Sequence, residues 1–228
     1  MTTYLLINIL IVVIPLALSY ETKVKFYKKF TNVAFAVFTV GGMLIIWDMI
    51  AVRRGDWSFN KNYLINMNVL DLPIEEIFFF ITVPFSVLFI YESLKYYLAD
   101  KIYNVNKIII LITACSFFIL AIIYIDKNYT ATVFIVCGIL LISIFFMQFL
   151  IISKIFLLTL LISVIPFLII NYFLTSLPVV VYNPEAILGI RILTIPVEDF
   201  FYSFSMITGW LLAYKLSERY IVELKTCN

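Results

Sequence analysis

Histidine is absent from this 228-residue chain, glycine occurs six times, and charged residues make up only 13%. Without histidine, no haem or zinc centre can be built on imidazole. With so little glycine and no Gly-x-Gly-x-x-Gly run, there is no dinucleotide or phosphate-cradling fingerprint. The three cysteines, Cys115, Cys137 and Cys227, are spaced neither for a metal site nor for a disulfide framework. There is no serine nucleophile elbow and no aspartate-rich diphosphate motif. No lysine falls in the middle of an apolar segment, which disfavours a Schiff-base chromophore. The net charge of +2 is too small to point to a nucleic acid. The first apolar segment lacks a basic n-region and a small-residue cleavage site, so it reads as a retained helix.

What the chain has is apolar bulk: 64% of its residues are hydrophobic, against roughly 45–50% in soluble domains. A helix needs about 20 largely apolar residues to span a bilayer. Seven segments meet that condition, at 3–20, 30–52, 73–94, 108–125, 131–150, 155–174 and 196–216. The reading is an all-α integral membrane protein with seven transmembrane helices. Lys23, Lys25, Lys28, Lys29, Lys95, Lys101, Lys107, Lys154, Lys215, Arg219 and Lys225 fall on one side. Arg53, Arg54, Lys61, Lys127 and Arg191 fall on the other. Basic residues crowd the cytoplasmic side, so the amino terminus is expected outside and the carboxy terminus in the cytoplasm.

Two stretches repeat. "LDLPIEEIFFF" at 70–80 returns as "LTIPVEDFFYS" at 193–203. Without a gap, Pro73, Glu75, Phe78, Leu88 and Tyr91 match Pro196, Glu198, Phe201, Leu211 and Tyr214. Glu76 is matched by Asp199 and Phe79 by Tyr202. Each motif follows one of the two long connections, 53–72 and 175–195. The layout predicts two parallel three-helix repeats, 1–107 and 131–228, joined by a linker helix within 108–130.

A proline followed by acids is an ordinary way to start a helix, because the proline leaves no unpaired N–H and the acids face the positive end of the dipole. Two copies at equivalent places in a membrane chain carry more weight. A carboxylate near the bilayer centre costs roughly 2.5–3.5 kcal/mol, and such groups are usually functional. In a site without water the neutral carboxyl is favoured, and two carboxyls in different surroundings divide acid and base roles. Glu75, Glu76, Glu198 and Asp199 are therefore candidate catalytic residues. Helical spacing aligns Glu75 with Phe78 and Phe79, and Glu198 with Phe201 and Tyr202. Aromatic faces attract cations, although in a chain with 22 Phe and 15 Tyr the same rings also serve packing and lipid contact. An acid beside aromatic walls suits protonation of an alkene and control of the resulting carbocation. Asp48 is either a third carboxyl of the site or an interfacial residue paired with Arg53; its repeat counterpart is Asn171. Arg191 either holds a site carboxylate ionised or anchors its loop at the headgroups.

"LPIEEIFFF" and "NPEAILGIRILTIPVEDFFYSF" resemble the paired signatures of the membrane lycopene β-cyclases that occur as two small subunits or one fused chain. The likeness covers essentially the whole chain and is to the fused form. In that family each half has three helices, with Pro-x-Glu-Glu or Pro-x-Glu-Asp opening the third. "NMNVLDLP" departs from the pattern by lacking a glycine shortly before the first motif. The resemblance implies an isomerase that cyclises the end group of lycopene to a β-ring without redox change, and so without a cofactor or metal. It implies a lipid-soluble polyene and membrane lipid as partners, other carotenoid-pathway membrane enzymes as candidate neighbours, and no nucleic acid. Residues and resemblance together lead to the expectation that Glu75 and Glu198 carry the proton chemistry, with Glu76 and Asp199 as partners or orienting groups. Substrate contact would come from Phe78, Phe79, Phe201, Tyr202, Asp48 and Arg191. Two other functions fit the residues: a proton- or cation-coupled transporter, and a non-catalytic carotenoid- or quinone-binding protein.

Overall fold

The computed structural model describes the backbone of residues 2–226 and, except at 148–151 and 221–226, their side chains. Cys227 and the side chain of Lys225, both named above, lie outside the described residues. Helices occupy each apolar segment: α1 (Thr3–Leu18), α2 (Phe30–Ala36) running through a π-helical turn into α3 (Gly42–Arg54), and α4 (Ile74–Tyr97). They continue with α5 (Lys107–Ile123), α6 (Asn128–Ile151), α7 (Lys154–Ser176) and α8 (Val197–Thr226). Caps fix several starts. The Asn106 side chain accepts the Ile108 N–H ahead of α5, and Ser153 accepts the Phe156 N–H ahead of α7.

Among the described residues, four helical runs are long and apolar enough to cross a membrane: Phe26–Arg54, Ile74–Tyr97, Asn128–Met147 and Lys154–Ser176. Thr3–Leu18 and Lys107–Ile123 are apolar but shorter. Helix α8 is long, but it carries Glu198 and Asp199 at one end and Lys215, Glu218 and Arg219 at the other. Large apolar side chains stay exposed along these helices, Phe38 at 80% and Ile112 at 64% among them, as a lipid-facing surface requires.

The connections are more ordered than an all-α reading anticipates. Trp57–Phe59 (β1) pairs antiparallel with Val180–Tyr182 (β4), centred on Ser58 opposite Val181. The two long connections are thereby joined. Asn68–Val69 (β2) pairs with Leu72–Pro73 (β3), and Arg191–Ile192 (β5) pairs with Ile195–Pro196 (β6). Both hairpins turn through a left-handed leucine, Leu70 and Leu193, each at φ 57°. Each proline thus ends a strand, and the helix begins one residue later than a helix-starting proline would place it.

The two loops share further geometry. Gly189, before the second hairpin, has φ 81°; Asn66 stands in the same place before the first, at φ 64°. Asparagine tolerates this region better than other non-glycine residues, so the missing glycine leaves the loop conformation intact. Ile74 N–H bonds the Met67 carbonyl at 2.9 Å, and Val197 N–H bonds the Ile190 carbonyl at 3.0 Å.

Helices α4 and α8 meet at the centre, where Leu88, Leu211 and Tyr214 are wholly buried and the Tyr91 and Tyr214 rings contact edge to face at 6.0 Å. The π-helical turn lies tight against α4: a Cβ on Gly41 would come within 3.2 Å of the Phe80 carbonyl oxygen. At the end away from the hairpins, Glu218 accepts from Lys29 at 2.6 Å and from Lys95 at 3.1 Å, tying α8 to the basic ends of the other helices.

Candidate functional site

Below the β1–β4 ribbon lies a chamber bounded by α1, α3, α4, α6, α7 and α8. Three carboxyls line it: Asp48 from α3, Glu76 from α4 and Asp199 from α8. All three side chains are buried. The rest of the wall is largely aromatic, with Trp57 and Tyr182 of the ribbon above and Phe79, Phe80 and Tyr202 at the sides. Among the described residues that line it there is no lysine or arginine.

Phenols hold the carboxyls. Tyr4, on the first turn of α1, donates to Glu76 Oε2 at 2.5 Å. Tyr129, on the first turn of α6, donates to Asp199 Oδ1 at 2.7 Å, and Tyr182 donates to Oδ2 at 2.9 Å. Burial, followed by the Asp199 carboxylate, pushes the Tyr182 phenol well above its usual range, so it remains a proton donor. Asp48 Oδ2 is buried with no hydrogen-bond partner. Tyr202 lines the chamber with all three carboxyls.

Glu75 and Glu198 point elsewhere. Glu75 Oε1 accepts the Ile65 N–H at 2.6 Å and the Thr2 hydroxyl at 3.3 Å. Glu198 Oε1 accepts the Leu188 N–H at 2.6 Å and the Thr130 hydroxyl at 2.6 Å. Both are wholly buried, and neither lines the chamber. Each fastens the loop before its hairpin to the helix that follows. The remaining oxygen of each, Oε2, is buried without a partner.

Of the aromatics singled out by spacing, Phe79 and Tyr202 line the chamber. Phe78 does not: it is 39% exposed on the outer face of α4. Phe201 packs instead between Phe117 and Phe134, at 5.7 and 5.6 Å. Arg191 lies at the surface, its guanidinium 5.9 Å from the Tyr182 ring centre and donating to the Thr194 carbonyl at 2.7 Å. Asp48 is not paired with Arg53, which donates to Asp71 at 2.5 Å. Asn171, which lies 123 positions after it, shares the chamber with it.

Three of the tyrosines that hold or line the site, Tyr4, Tyr129 and Tyr182, are not marked by any motif. Nothing in spacing selects Tyr4, Tyr129 and Tyr182 from fifteen. The one usable signal is a threonine and a tyrosine at the starts of α1 and α6, in "TTY" and "NYT". A second, more apolar chamber adjoins the first through Phe79, Phe167, Asn171 and Met206 and runs between α4, α7 and α8 as far as Trp210.

The sequence model of a family described as "Lycopene cyclase" matches residues 1–94 and 126–217. The stretch between the two matched blocks contains α5. Two curated proteins, each called "Bifunctional lycopene cyclase/phytoene synthase", are similar over 74 residues. The one from Leptosphaeria maculans is 32% identical and the one from Pyrenophora tritici-repentis 34% identical. In both cases the similar segment is 32% of this chain and 12% of the relative's length. No solved structure matches the chain.

Proposed function

The chain belongs to the lycopene cyclase family, and from that premise we propose that it closes the end group of lycopene into a β-ring by proton transfer within the three-carboxyl chamber. One observation carries this reading. Asp48, Glu76 and Asp199 share an aromatic-walled chamber whose described lining holds no lysine or arginine, the nearby Arg191 lying outside it on the Tyr182 ring. Carboxyls that share a chamber closed off by aromatic walls can give a proton to a bound alkene and take one back. A carboxyl O–H then adds its proton to the terminal double bond of the polyene, giving a tertiary cation. The next double bond attacks that cation and forms the ring bond. A carboxylate takes a proton from the adjacent carbon, which leaves the ring double bond. No atoms are gained or lost overall. The rings of Trp57, Phe79 and Tyr202, which line the chamber, shelter the positive charge in the interim.

In this reading the proton chemistry expected of Glu75 and Glu198 falls to their neighbours Glu76 and Asp199, with Asp48 as a third participant. Glu75 and Glu198 are latches. Two three-helix halves joined by α5 account for the matched loops, hairpins and acids, and for the two blocks of the family match. Seven membrane crossings with the amino terminus outside would set the chamber toward the outer face.

The test is expression in a lycopene-accumulating cell, followed by pigment analysis. The unaltered chain is expected to convert lycopene to ringed products. Glu76→Gln and Asp199→Asn should each lower ring formation by about 10²–10⁴-fold, the usual worth of a positioned proton donor or acceptor. Near-normal pigment from both variants would overturn the assignment.

A further inference from the structure

Two apolar grooves on the lipid side copy each other. One lies between the α2–α3 helix and α4, the other between α7 and α8. Ala34, Val37 and Phe38 line the first where Leu157, Leu160 and Leu161 line the second, and Ile77 corresponds to Phe200. Every pair has the same spacing along the chain as the two acidic motifs.

The inner walls differ. In the first groove the wall is Phe80, only 1% exposed, which borders the groove on one side and the acid chamber on the other. The corresponding residue in the second groove is Ser203, too small to fill that place. There the barrier is Phe167, which borders the groove, the acid chamber and the deeper chamber together. Phe167 is half-buried and rests edge to face on Phe200 at 5.1 Å. It follows Pro166, where α7 lacks one backbone N–H donor. Ser203 and Ile207 also border both the groove and the deeper chamber.

We infer that the α7–α8 groove is the channel by which a long linear polyene reaches the acid chamber from the bilayer, with Phe167 as its gate, and that the groove beside α4 is a blind copy stopped by Phe80. The inference rests on the reading that a polyene end group reacts in the acid chamber. Only the end of so long a hydrocarbon can be enclosed there, so its remainder must lie in a trough continuous with the chamber. Lipid tails are as apolar as the groove, so hydrophobicity alone gives no preference for the polyene. Shape and continuity do, and only one of the two grooves is bordered by side chains that also reach both chambers without a buried plug.

Photocrosslinking tests this in the full chain, reconstituted in phospholipid nanodiscs with lycopene. A p-benzoylphenylalanine at position 157 should crosslink lycopene, whereas the same residue at the matched position 34 should capture phospholipid only. Ser203→Phe, which copies the plug of the first groove, should raise the KM for lycopene at least about tenfold and remove the crosslink at 157. Ala34→Trp, which fills the blind groove, should leave turnover unchanged. Equal lycopene capture at 34 and 157, or capture at 34 alone, would overturn the channel. So would phospholipid capture at both positions while lycopene is still cyclised, an outcome that leaves the reaction itself standing. Lycopene captured at 157 by a protein that forms no ring would support the channel and overturn the reaction.

Discussion

A helix turns its side chains by about 100° per residue, so two successive acids cannot share one environment. Glu76 takes the Tyr4 phenol within the chamber, while Glu75 takes the Ile65 N–H outside it. The division predicts distinct losses. Glu75→Gln keeps a carbonyl oxygen for the Ile65 N–H and should retain most of the ring-forming activity. Glu75→Ala leaves that N–H without its partner and should lower stability by about 1–3 kcal/mol, seen as a lower thermal unfolding midpoint in detergent. If Glu75→Gln abolished turnover at unchanged stability, the latch reading would fail and Glu75 would return to the chemistry. At this scale the two motifs and their helical spacing are legible in the sequence, and four of the residues they single out, Phe79, Tyr202, Glu76 and Asp199, line one chamber. It did not disclose which acid of each pair faces inward, because that depends on where the hairpin sets the first turn of the helix. Phe78 and Phe201 share the helical spacing yet lie outside the chamber for the same reason.

At the scale of elements, apolar length was enough to locate the helices: a segment too greasy for water has few alternatives to a helix in a membrane. The ribbons were not legible. Strands of two or three residues are too short to show alternation, and β1 finds its partner only when α7 delivers β4 to it. Nor did the lack of a glycine at position 66 disclose that Asn66 adopts the left-handed backbone in its stead. The hairpin turns are less well matched to their sequence. Leu70 and Leu193 are left-handed and exposed, at 70% and 76%, a conformation that costs a branched-chain residue roughly 1–2 kcal/mol. Glycine avoids that cost but loses about 0.5–1 kcal/mol in chain entropy. Leu193→Gly is therefore expected to stabilise the protein by up to about 1 kcal/mol while leaving pigment conversion unchanged. A fall in the unfolding midpoint would mean that the leucine side chain contributes more than its backbone strain.

At the scale of the molecule, two matched acidic motifs invite a reading as two reaction centres, one for each end of a symmetrical polyene. The geometry argues for one. The β1–β4 pairing is centred on Ser58 and Val181, which have the same 123-residue spacing as the two acidic motifs, and the chamber lies directly beneath it. Asp48 of α3, Glu76 of the first motif and Asp199 of the second line the same space. The carboxyls are also unequally furnished, Glu76 with one phenol donor and Asp199 with two. Unequal groups in one chamber suit a division of labour between giving and taking the proton, not a duplication of it. The consequence is visible in the products. Two independent centres would leave Asp199→Asn with one working site, and cells carrying it would still make ringed carotenoid at about half the normal rate. A single centre loses both ring closures together, so neither monocyclic nor bicyclic pigment should form above a few per cent of normal. A single centre must also treat the two ends in turn. In a time course with the unaltered chain, the monocyclic product should therefore rise first and then decline as the bicyclic one appears. Bicyclic product appearing without that precursor, together with half activity in Asp199→Asn, would establish two centres.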